Sequence, residues 1–131
     1  MAVSDLYIVQ YLLQATLGAA DPLIWQMDEA GSYMALINGV TLALFQSHTM
    51  GWSGLCLRFT KGEDVIYVEE PRFSSLFRRV YKDDDEKRLA EAMRTLERAV
   101  AKQSHQRKER AWRLKDSVRE SLYRLVLFGD H

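Results

Sequence analysis

The chain has 131 residues, 47% of them apolar and 27% charged, and its 18 basic side chains are balanced by 18 acidic ones. That mixture excludes wholesale disorder, and a net charge of zero gives no reason of its own to expect nucleic acid or an anionic membrane as a partner. A single cysteine, Cys56, excludes an internal disulfide framework and fits a reducing compartment. No run approaches the ~20 apolar residues of a membrane span, and the first residues lack the basic start and unbroken apolar core of a secretory signal. The expectation is a cytoplasmic protein. Its charge is unevenly placed: residues 1–60 hold Arg58 against Asp5, Asp21, Asp28 and Glu29, so the surplus of bases lies in the rest.

Ser4 is placed to cap a first helix, its hydroxyl accepting from a free first-turn N–H. Leu6, Val9, Leu12, Leu13, Thr16 and Leu17 then recur at helical spacing, leaving Asp5, Gln10 and Gln14 for water. Tyr7 and Tyr11 flank that face. Gly18 is expected to end the helix in the left-handed conformation, and Asp21-Pro22 forces the next residues to run extended.

From Leu23 to Glu70 the period changes to two. Leu23–Met27 reads as a strand, and Asp28–Ser32 as a hairpin loop. Tyr33–Ile37 and Val40–Gln46 flank Asn38-Gly39, a strong hairpin signal because both residues tolerate positive φ. A loop from His48 to Ser53 is expected to lead to a strand over Leu55–Thr60. Lys61–Asp64 turns into Val65–Glu69, and Pro71 ends the sheet. Strands this short, with connections this tight, make an antiparallel meander of about five strands. Met34, Leu36, Ala43 and Phe45 are apolar where alternation would place polar groups, so part of the second sheet face should be covered by a helix or another subunit.

A short helix is expected over Phe73–Tyr81. From Asp83 to Phe128 there is no Gly or Pro, and Asp83 with Glu86 has capping-box spacing. One helix over that stretch would be roughly 65 Å long. Leu89, Met93, Leu96, Val100, Ala111, Leu114, Val118, Leu122 and Leu125 fall in one sector, interrupted by Gln103 and Arg107. Two readings stay open: a continuous helix with a polar patch in its seam, or a hairpin turning near Gln103–Gln106. The absence of internal caps favours the first.

The fold class expected is α+β: an N-terminal helix, the meander, and a C-terminal helical half with a long terminal helix. Residues 1–82 form the helix-and-sheet unit, and 83–131 an extension packed on the sheet or on a partner. Leu96, Val100, Leu114 and Val118 are candidates for an oligomer seam. Across from them Arg94, Arg98, Lys102, Lys108, Trp112 and Arg119 form a basic ridge, a candidate partner contact with Trp112 as its anchor.

Catalytic and cofactor chemistry finds no support. His48, His105 and His131 are scattered, no Cys-x2-Cys or His-x3-His spacing exists, and Cys56 lies in an apolar strand that suits an inert thiol. Gly51–Gly54 lacks the Lys and the following helix of a phosphate loop. No cofactor and no metal are expected. The function expected is a non-enzymatic interaction module, whether an adaptor, a small subunit of a larger assembly or a neutralising, immunity-type partner. It would bind another protein or a second copy of itself. A nucleic-acid-associated regulator using the basic ridge is the second reading, and a ligand binder or enzyme using the Trp52 loop the third.

Overall fold

The computed structural model describes residues 4–18, 20–49, 52–71 and 84–128. They form helix α1 (Asp5–Leu17), strands β1 (Gln26–Met27), β2 (Tyr33–Ile37), β3 (Val40–Thr49), β4 (Trp52–Lys61) and β5 (Asp64–Glu69), and helix α2 (Asp84–Phe128). The strands lie in chain order in one sheet, every neighbouring pair antiparallel. This is the α+β class and the five-stranded meander that the sequence leads one to expect. The helix expected at Phe73–Tyr81 and the cap at Asp83 lie outside the described residues.

Local chemistry sets the turns. Ser4 Oγ accepts from Tyr7 N at 3.2 Å and starts α1. Asp28 Oδ1 accepts from the backbone of Ala30 and Ser32, at 3.0 and 2.8 Å, and so shapes the β1–β2 loop. Asn38 and Gly39 have φ of +50° and +76°, the conformation of a tight two-residue hairpin between β2 and β3. Gly18 departs from expectation: its φ is −57°. α1 ends instead because Leu23 N returns to donate to Ala15 O at 2.9 Å, directing the chain past Pro22 towards the sheet.

Both helices cover one sheet face. Val9 and Leu12 from α1, and Met93, Leu96 and Val100 from α2, close on Trp25, Ala35, Leu42, Leu44, Leu55, Leu57 and Val68. On the opposite face, register places Met34, Ala43, Arg58 and Tyr67 in one row and Phe45, Cys56 and Glu69 in the next. Ala43 and Cys56 are buried there, and the Arg58 guanidinium stands 5.7 Å from the centre of the Phe45 ring. Leu36 and Tyr67, at the margins, are mostly exposed.

Two strand boundaries differ from the expected ones. β3 and β4 continue to the pairs His48↔Ser53 and Thr49↔Trp52, so the open loop expected over His48–Ser53 is a hairpin end. At the other edge β1 begins only at Gln26, because the backbone of Leu23 and Trp25 is held by α2. Gln103 Oε1 accepts from Trp25 N at 2.8 Å and Gln103 Nε2 donates to Leu23 O at 2.8 Å. Arg107 Nη1 donates to Trp25 O at 3.1 Å. Trp25 itself is fully buried, and its indole N–H donates to Thr16 Oγ1 at 2.9 Å, whose hydroxyl donates to Leu12 O at 2.8 Å.

Replacing Gln103 by Leu keeps the bulk but leaves a backbone N–H and a carbonyl unpaired, and should lower the unfolding free energy by about 2–4 kcal/mol. Gln106→Leu, at an exposed site on the same helix, should change it by less than about 0.5 kcal/mol. Urea unfolding followed by circular dichroism compares the two, and equal stabilities would mean that the grip on β1's approach contributes nothing.

Candidate interaction surface

α2 is one continuous helix, which decides between the two readings left open. Its seam divides at Gln103. Leu96 and Val100 are fully buried within their own subunit, so they cannot belong to an oligomer seam: α1 and the sheet already fill the space a second chain would need. Leu114 and Val118 are exposed by 67% and 53%. Every residue from His105 to Leu127 is exposed, so this half of the helix forms an arm beyond the two-layer body. From Lys108 onward it runs roughly 30 Å.

The arm carries Trp112, Leu114, Val118, Leu122, Tyr123, Leu125, Val126 and Leu127, each more than half exposed. At about 100° per residue, Ala111, Leu114, Val118, Leu122 and Leu125 keep within a sector about 80° wide. In the last two turns the pattern broadens, since Tyr123, Val126 and Leu127 place apolar groups around most of the circumference. Leu114, Val118, Leu122 and Leu125 together expose on the order of 400 Å² along one side of the helix, comparable to the largest contiguous patch that monomeric proteins ordinarily leave in water.

The basic ridge is less uniform than its sequence suggests. Arg94 packs on the carboxylate of Glu70, Nη2 donating to Oε1 at 2.7 Å and Nε lying 2.6 Å from Oε2, with the Glu70 side chain only 9% exposed. Glu70 N in turn donates to Leu55 O, so Arg94 ties α2 to the end of the sheet and has an intramolecular task. Arg98 Nη2 donates to Thr95 Oγ1 at 3.3 Å. His105 Nε2 lies 3.2 Å from Glu109, one turn on. Lys102, Lys108, Trp112 and Arg119 are exposed, but Glu109 and Asp116 lie close to them on the helix surface.

No group of three or more His, Cys, Asp or Glu side chains suited to a metal ion occurs among the described residues. Burial raises the pKa of the Cys56 thiol above its ordinary value, and the neighbouring Glu69 adds to that while Arg58 opposes it. A thiol held protonated inside a strand is a poor nucleophile. Among the described residues no helix is long and apolar enough to cross a membrane. A groove of about 780 Å³ lies between the α1–β1 connection and β2, walled mainly by Tyr11, Pro22, Ile24, Met34 and Leu36 with Asp21 at its rim. It holds no converging set of catalytic groups. Comparison with protein families, with curated proteins and with solved structures finds no match for this chain.

The division of the seam gives a mutational test. Leu96→Asp places a charge in a dry core and should unfold the protein, whereas Leu114→Asp should leave the unfolding free energy within about 0.5 kcal/mol of the parent. A comparable loss in both variants would mean that the arm is folded against its own body. In the same unfolding series, Cys56 should react with a thiol reagent at pH 8 at least about tenfold more slowly in the native protein than in denaturant.

Proposed function

We propose that this protein is a non-enzymatic interaction module, an adaptor or a small subunit of a larger assembly, in which the sheet and α1 anchor α2 and the second half of α2 docks on another protein. The observation that carries the reading is the uncovered stripe of the arm. An apolar face of this size is costly to leave in water, and a hydrophobic stripe on a preformed helix is a common way for one protein to enter a groove or pair with a helix of another. The stripe supplies about half of the ~800 Å² per partner of a standard interface. Trp112, about 120° round the helix from the centre of the stripe, is the residue type most often found carrying binding energy at protein contacts. Against nucleic acid as the partner, the acids Glu109, Asp116 and Glu120 interrupt the bases of the arm, and a basic groove with aromatic side chains for stacking is missing among the described residues.

A photo-reactive amino acid placed at Val118 and expressed in the native host should give a discrete cross-linked species containing one other protein. The same group at Lys61, in the turn between β4 and β5, should give none. Failure to cross-link from Ala111, Val118 and Leu122 alike would remove this reading.

A further inference from the structure

Resting on the docking reading above, the sequence of charges around the stripe narrows its occupant. With the centre of the Ala111–Leu125 sector as reference, at about 100° per residue, Lys115, Lys108 and Arg119 fall roughly 60–100° to one side and Arg110 roughly 80° to the other. The acids of the arm, Glu109, Asp116 and Glu120, fall within about 20° of the opposite pole. One border is therefore basic, the other carries Arg110 with Ser117 and Ser121, and the acids of the arm all face away. Arg124, farther round on the Arg110 side, donates to Glu120 at 3.0 Å and leans towards that far face. Among the described residues no ion pair involves Lys108, Arg110, Lys115 or Arg119.

We infer that the arm docks against a helix of a different protein whose apolar seam is bordered by Asp and Glu. Charges beside a helical seam select the partner and its direction. A second copy of this chain is disfavoured in both directions. Parallel pairing through Ala111, Leu114, Val118 and Leu125 sets Arg110 beside the Lys115 of the other copy. Antiparallel pairing sets Lys115 near its own counterpart. An anionic membrane would also meet the basic border, but a stripe about 80° wide matches the narrow seam between paired helices better than the broad face of a helix lying on lipid. The widening over the last two turns places Tyr123, Val126 and Leu127 where more than one partner element can close around the tip.

The test uses the full chain and two designed four-heptad peptides with the same Leu seam, one bordered by Glu and the other by Lys. Fluorescence anisotropy should give the Glu peptide at least about tenfold tighter binding at about 50 mM salt, with the gap shrinking several-fold at about 500 mM as screening shortens the reach of the charges. Arg110→Glu combined with Lys115→Glu and Arg119→Glu should invert the preference, and Leu114→Asp should abolish binding of both. Far-UV circular dichroism verifies that these surface variants keep their helix. Equal affinities, preference for the Lys peptide, or no binding of either would overturn the acidic seam. So would retention on phosphatidylcholine–phosphatidylserine vesicles without binding of the Glu peptide. A dimer seen by light scattering and dispersed by Leu114→Asp would make the occupant a second copy. Cross-linking from Ala111, Val118 and Leu122 separates the two levels, because it reports docking whatever the border charge: lost at all three, it removes the docking reading, and retained beside equal peptide affinities, it leaves only the acidic border refuted.

Discussion

Gln103 and Arg107 hold the main chain of Leu23 and Trp25 through three hydrogen bonds, and the shape of the molecule turns on that contact. N-terminal to it, successive turns of α2 bury Met93, Leu96 and Val100 against α1 and the sheet. At Gln103 the surface facing the helix is no longer a layer of side chains. It is a bare backbone leaving α1, with an N–H and two carbonyls not yet in the sheet ladder. An apolar residue there would strand those groups in a partly buried site, at the cost attached to unpaired polar atoms. A primary amide offers one acceptor and one donor within a single side chain, and the pair Trp25 N and Leu23 O requires both. Beyond Arg107 the body ends while the helix continues.

The same contact places the largest core side chain. Trp25 is fully buried, yet its indole needs an acceptor. Thr16 supplies one while passing its own proton to Leu12 O. α1, the segment before β1 and α2 are thus joined by polar groups that satisfy one another, at the edge where β1 is only two residues long and contributes little ladder. At the distant end of the sheet Arg94 and Glu70 perform a comparable task between α2 and the residue that follows β5. With the buried stripe lying between these two polar ties, the direction in which the arm leaves is fixed by the fold.

Much of this was legible in the sequence, and the parts that were not share a physical cause. Alternation, Asn38-Gly39 and the uninterrupted run after Asp83 specify strands, hairpin and helix because each is a local property of neighbouring residues. The extension of β3 and β4 past Gln46 escaped a reading based on alternation, since Ser47, His48 and Ser53 are polar on both faces of a ladder that continues to Thr49↔Trp52. Gly18 carried the signature of a left-handed cap, but a long-range bond from Leu23 N to Ala15 O ended the helix another way. Gln103 and Arg107 read as defects in a seam. Their partners lie about eighty residues away, and no spacing rule joins a helix side chain to the backbone of one particular distant strand approach. The candidate ridge was visible as a pattern, yet Arg94 could be recognised as an intramolecular tie only once Glu70 was seen beside it.

The arm is helical although its side chains are exposed from His105 to Leu127. An isolated helix of some twenty residues is marginal in water because its first turn is costly to form. Here that turn lies far upstream, inside the body, so the exposed half only propagates an existing helix. Its composition assists: Gly and Pro are absent, and Glu120–Arg124 and His105–Glu109 stand at the four-residue spacing that favours a helix. The backbone of the stripe is therefore already ordered, and the conformational entropy that a disordered segment would lose on binding has been lost during folding. The exposed half of α2 is in this way held helical by the half that is buried against the body.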